Sequence, residues 1–92
     1  MAINFEWDDK KAKSNLRKHG ISFEEASTAF GDELSLTIDD PLHAENENRL
    51  ILIGQSIYNN TLVVVHLEKT KSIRIISARK ATKKEKSFYE EF

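Results

Sequence analysis

The sequence predicts an α+β fold: one antiparallel sheet with helices packed against it, in the order β-α-α-β-β-β-β-α. Three features point there. Two capped helical segments follow a short alternating strand. Three apolar runs then come in quick succession with tight polar reversals between them, and strands joined by such short turns must be antiparallel. A capping-box signature finally launches a helix after the last run. The 92 residues make one domain, 1–92, with no repeats and no low-complexity tract.

Ile3, Phe5 and Trp7 alternate with polar residues as a first strand. Asp8 offers an N-cap for a helix over 9–19, with Ala12 and Leu16 as its thin apolar stripe, and Gly20 as a left-handed C-cap. Ser22-x-x-Glu25 is a capping box for a second helix that buries Phe23, Ala26 and Phe30, with Ile21 as a staple toward Ala26 and Gly31 closing it. Leu34, Leu36 and Ile38 alternate as a strand, and 39–48 (DDPLHAENEN) is a polar, Pro-containing loop longer than the median connection. Strands are expected over 49–56, 61–68 and 72–79. Asn59-Asn60 marks a two-residue hairpin turn and Thr70-Lys71 a second tight reversal. Thr82-x-x-Glu85 opens the last helix, with Phe88, Tyr89 and Phe92 on its apolar face.

Charge is sorted along the chain. Residues 69–86 hold eight of the fourteen Lys and Arg and one acid, Glu85; Lys10, Lys11, Lys13, Arg17 and Lys18 form a second acid-free basic block. Residues 20–48 carry eight acids and no Lys or Arg. A formal net charge of −1 therefore covers two cationic surfaces and an anionic belt, and such patches attract phosphates where an evenly mixed surface would not. The chain has no cysteine, which excludes disulfides and thiolate metal sites and fits a reducing cytoplasm. Its longest aliphatic runs, LILI and LVVV, are too short to span a bilayer, and its start lacks a signal-peptide apolar segment. A soluble, cytoplasmic protein with no membrane contact is expected.

Arginine in an aliphatic strand is costly to bury unless paired, so Arg74 and Arg79 must reach solvent, an acid or a ligand phosphate. Strict alternation separates them onto opposite faces. The doubled Ile75-Ile76 implies burial on both faces or a bulge that brings the arginines closer. The structural alternative is a salt bridge to Glu68 or Glu6. His66 and Glu68, two residues apart on one strand face, can serve as a general acid/base pair, or His66 can be an ordinary core or edge residue. Trp7 can stack on a base or fill the core. Lys80, Lys83 and Lys84 are candidate RNA contacts or a solvated helix face. Lys18 and His19 end a helix, where cations are favoured in any case. No pair of histidines, His43 included, has zinc-ligand spacing, so neither metal nor other cofactor is expected. Gly-rich phosphate loops and G-x-S-x-G elbows are absent.

Taken together, the chain resembles the BrnT family, the ribonuclease half of a type II toxin–antitoxin pair. One stretch runs through Phe5, Glu6, Trp7, Asp8, Lys11, Asn15, Lys18, His19, Gly20, Ser22, Phe23, Glu24, Glu25 and Ala26; the other is IRIISARKAT, 73–82. Leu62 to His66, with Arg49 ahead of the preceding strand, adds a weaker match. After His66 the family often has Thr-x-Arg, whereas this chain has Leu67-Glu68-Lys69, which keeps a cation but not a bidentate one.

The resemblance implies a RelE-like fold and metal-independent cleavage of RNA by its own 2′-OH, inhibiting translation. On that reading Arg74 and Arg79 bind phosphate and stabilise charge, His66 or Glu68 moves the proton, and Lys80 is a secondary cation. Lys83, Lys84, Trp7 and Lys18 contact RNA. The implied partner is a BrnA-like antitoxin with a ribbon-helix-helix domain, and operator DNA is met only through it. The alternative class is a non-catalytic nucleic-acid-binding module or a regulatory partner subunit.

Overall fold

Each expected element forms, and the computed structural model describes residues 3–40 and 49–91. In chain order they are β1 (Asn4–Glu6), α1 (Asp9–His19), α2 (Phe23–Thr28) continued by a 3₁₀ turn (Ala29–Gly31), β2 (Leu36–Asp39), β3 (Arg49–Gln55), β4 (Thr61–Glu68), β5 (Ser72–Lys80) and α3 (Lys83–Glu90). Most of the expected 39–48 loop, with His43, lies outside the described residues, as does Phe92.

The caps behave as their chemistry requires. Asp8 accepts from the backbone N–H of Lys10 and Lys11, and Gly20 ends α1 at φ 71°. Ser22 Oγ accepts from Glu25 N–H. The Glu25 carboxylate does not complete a box; it accepts from Ser56 Oγ (2.7 Å) and Asn60 Nδ2 (2.8 Å), tying α2 to the β3–β4 hairpin. That hairpin turns through Ile57, Tyr58 and Asn59, with Asn59 at φ 65° and its N–H on Ser56 C=O. The reversal is thus three residues long rather than the expected two, with asparagine taking the left-handed position. Thr82 and Glu85 form the full capping box of α3.

The sheet order is β1-β5-β4-β3-β2. β2 to β5 are antiparallel neighbours, but β1 lies parallel to β5, with Glu6 opposite Arg74. The sheet is therefore mixed, not antiparallel throughout. Tight turns dictate direction only between β3, β4 and β5; β1 reaches the sheet through two helices, so no turn fixes its sense.

One face of the sheet carries α1 and α2. Ile21, Phe23, Ala26 and Ala29 pack there on Leu52, Leu62, Val64, Ile75 and Ala78, apolar burial that supplies most of the driving force. Gly54 lets the 3₁₀ turn approach: a Cβ there would sit 3.0 Å from Ala29 O and from Ser35 Cβ.

β1 is too short to cover β5 beyond Arg74. Asn15 of α1, only 6% exposed, covers the next stretch. Its Oδ1 accepts from Ala78 N–H (3.0 Å), and its Nδ2 donates to Ala78 C=O (2.7 Å) and Ile21 C=O (2.9 Å). One side chain thus substitutes for a strand residue. Asn15→Leu should cost about 3 kcal/mol, because it strands buried backbone groups that each carry a penalty of ~1–3 kcal/mol. Urea denaturation checks this, and a loss below about 1 kcal/mol would show that water replaces the amide.

Candidate nucleic-acid interface

The pairing of β4 with β5 slips between Val65 and His66: Val65 faces Ser77 while His66 faces Ile75, leaving Ile76 as an extra residue. This bulge resets the alternation. Ile75 and Ala78, three apart, both point into the helix-side core, and Arg74 and Arg79, five apart, come to share the opposite face. The register confirms it, since their partners Leu67 and Val63 are four apart on β4.

Three rows cross that opposite face: Leu36–Ile53–Val63–Arg79, then Ile38–Ile51–Val65–Ser77, then Arg49–Leu67–Arg74–Glu6. α3 lies on this side through the Arg79–Glu85 pair and its contacts with β3. Val65, Ser77, Leu67 and Arg74 remain half-exposed and Ile38 is exposed. The result is an apolar strip with arginines beside it.

The two arginines are held differently. Glu6 Oε2 accepts from Arg74 Nη1 (3.1 Å) and Lys69 Nζ (3.1 Å), while Oε1 accepts from Ser72 Oγ (2.9 Å). Hydrogen bonds from Ser72, Lys69 and Arg74 hold the Glu6 carboxyl below its ordinary range. Lys69, the third residue after His66, thus joins the Arg74 cluster. Arg79 is gripped on both terminal nitrogens: Nη1 and Nη2 donate to Glu85 Oε1 (2.7 Å) and Oε2 (2.8 Å). Arg79, together with the α3 cap, pulls the Glu85 carboxyl down to about 2. The salt-bridge alternative therefore holds in part, with Glu6 for Arg74 and Glu85, not Glu68 or Glu6, for Arg79.

His66 and Glu68 are not brought to the arginines. Their partners Ile75 and Ile73 place them on the helix side of the sheet. His66 is 0% exposed, stands edge-on to Phe30 at 4.8 Å, and is kept neutral by burial, which pushes its imidazole down. Its Nδ1 lies 3.3 Å from Val64 C=O, and Nε2, 3.9 Å from Glu68 Oε1, has no hydrogen-bond partner. The even spacing from Val64 signalled burial as well as it signalled chemistry, and the bulge then kept both arginines off that face.

Trp7 is half-buried and meets Phe23 edge-on at 5.9 Å, a packing position. Lys80 is exposed at the end of β5, and Lys83 and Lys84 are exposed in the first turn of α3. Lys18 is exposed in the last turn of α1 and lines a groove with Lys11, His19, Ile76 and Ser77. Two partnerships were missed from sequence: Glu85 on Arg79, and Asn15 on β5. Asn15 had a signal, a polar residue on the α1 face that meets the sheet. No group of three or more His, Cys, Asp or Glu among the described residues is arranged to hold a metal. No helix of the described residues is long and apolar enough to cross a membrane.

The model of a known family, the ribonuclease toxin BrnT of type II toxin–antitoxin systems, matches residues 7–85. The chain belongs to this family. No curated protein matches it. Among solved structures it is similar to the Brucella abortus ribonuclease toxin BrnT, determined at 1.1 Å, with a TM-score of 0.69 over 89% of this chain and 100% of that one, at 20% identity. That identity carries the fold: a five-stranded mixed sheet with three helices. As a BrnT-family ribonuclease toxin the chain has an antitoxin as its implied partner.

The α3 helix has no buried residue and is pinned by polar contacts, so its docking should depend on pH at both extremes. Glu85 is depressed to about 2. Its contribution is full above the ordinary carboxyl value of 4.5 and is lost as pH falls toward 2. Tyr89, whose hydroxyl donates to Asp32 Oδ2, is raised to about 12. Its contribution is full below the ordinary 10 and lost as pH rises toward 12. Urea midpoints followed against pH should show a shallower acid slope in Glu85→Gln, with Glu6 keeping its own share, and a shallower alkaline one in Tyr89→Phe. Unchanged slopes would mean these contacts do not hold α3.

Proposed function

We propose that this BrnT-family chain is a metal-independent endoribonuclease on a RelE-like scaffold, cutting RNA by attack of the 2′-OH on the adjacent phosphodiester and so inhibiting translation. The observation that carries the reading is the β5 bulge, which sets Arg74 and Arg79 on one half-open face. Fixed guanidinium groups supply the positive charge that a pentacovalent phosphorane needs. Glu6 orients Arg74 through one nitrogen and leaves its other donors for phosphate. Lys80, Lys83 and Lys84 extend the cationic surface from the end of β5 into α3 and supply salt-dependent attraction for the RNA backbone. Burial of His66 supports a packing role for it and leaves proton transfer to a group that RNA can reach. The family context supports a cytoplasmic setting and an antitoxin with a ribbon-helix-helix domain that shields the arginines with an acidic or amphipathic segment.

Arg74→Ala and Arg79→Ala should each lower RNA cleavage by about 10²–10³-fold while thermal melts still show a folded protein. Lys83→Ala should only weaken binding and flatten its salt dependence. Cleavage by the wild type should persist in excess EDTA; activity restored only by added Mg²⁺ or Mn²⁺ would overturn the mechanism, and binding without cleavage would favour a non-catalytic module. In gel shifts the chain alone should leave operator DNA unshifted and the toxin–antitoxin complex should shift it. A sequence-specific shift by this chain alone would reverse that assignment.

A further inference from the structure

Beside Ala12, which packs on the core, the flank of α1 next to the β5 edge is polar. Lys11, Asn15, Lys18 and His19 fall at i, i+4, i+7 and i+8, one stripe of a helix. Asn15 is bolted to β5 through both polar groups of Ala78, and the exposed Lys11, Lys18 and His19 of the same stripe flank the strand there. Leu16, from the expected apolar stripe, is instead 50% exposed. Between stripe and strand runs an open groove lined by Lys11, Lys18, His19, Ile76 and Ser77. It lies against the bulge, beyond the last residue of β5 that β1 covers. Ser77 belongs to the same face as Arg79, two residues or ~7 Å along the strand.

Resting on the ribonuclease reading, we propose that this groove seats the scissile phosphodiester and that His19 is the proton-transferring catalytic residue, with Lys11 and Lys18 as its cations. Cleavage needs an acceptor that RNA can reach. His66 has no exposed surface, whereas His19 is exposed and stands among cations that draw phosphate in. The neutral imidazole takes the 2′-OH proton as the O2′–P bond forms and the P–O5′ bond breaks. The imidazolium returns that proton through solvent to the 5′-oxygen, leaving a 2′,3′-cyclic phosphate and a 5′-hydroxyl. A strand crossing the groove then reaches Arg79 and Arg74 across the sheet edge at Ser77.

The test uses the purified full chain, a fluorescent RNA oligomer for single-turnover cleavage and its all-2′-deoxy counterpart for binding. His19→Gln should slow cleavage by about 10²-fold or more, remove the acid limb of the pH–rate profile and leave deoxy-oligomer affinity within about twofold. His66→Gln should lower the melting temperature but retain the limb. Lys11→Ala and Lys18→Ala should weaken binding and reduce its salt slope by about one each. Wild-type cleavage by His19→Gln, with Arg74→Ala inactive, would overturn the role of His19 and leave the ribonuclease reading standing. Equal loss of binding and cleavage in His19→Gln would overturn the proton-transfer role as well. A wild-type chain that cuts no RNA would instead overturn the reading on which the proposal rests.

Discussion

The clamp between Asn15 and Ala78 is the contact on which the rest of this structure depends. A β5 edge left bare beyond β1 would expose backbone donors and acceptors next to the core, and buried polar backbone groups are costly unless paired. A single carboxamide offers a donor and an acceptor at the spacing of a strand residue. It meets that need while locking the register of α1 against the sheet. The third hydrogen bond, to Ile21, ties in the start of α2. One side chain therefore joins β5, α1 and the α1–α2 link, and the packing of Ile21, Phe23 and Ala26 follows from where those elements are held.

Beside that clamp, the bulge at Ile76 decides what each face of the sheet can do. One additional residue turns Ile75 and Ala78 into the core together and sends Arg74 and Arg79 outward together. Core burial and cation presentation are thus a single geometric event. A strand of unbroken alternation would put one arginine against the helices, where an unpaired guanidinium is strongly disfavoured.

The acids are as purposeful as the cations. Glu6 and Glu85 each take one of the β5 arginines, and Glu85 also caps α3. The contacts differ in strength: a single nitrogen on Arg74, a two-pronged fork on Arg79. Arg74 is oriented with donors to spare, while Arg79 must share or release its carboxylate to meet a phosphate. Pairing also keeps the closely spaced cations compatible with a small core in the absence of RNA.

Sequence alone determined the elements and their order. Capping residues, apolar period and turn chemistry act within a few residues of one another, so Asp8, Gly20, Ser22 and Thr82 could be read directly as helix ends. It also determined the charge sorting, and the two long motifs carried the family. Strand direction for β1 was not legible, because no local turn constrains it. Nor was the face occupied by each candidate residue, because a bulge is a property of two strands and Ile75-Ile76 allows two readings. The tertiary structure therefore decided that Arg74 and Arg79 share one face of the sheet, that His66 is sealed beside Phe30, and that Glu85 rather than Glu68 answers Arg79. It also decided that Lys11, Asn15, Lys18 and His19 of α1 lie beside β5. Each of these rests on contacts between residues far apart in the chain, and side-chain period along one segment cannot specify which distant backbone will complete it.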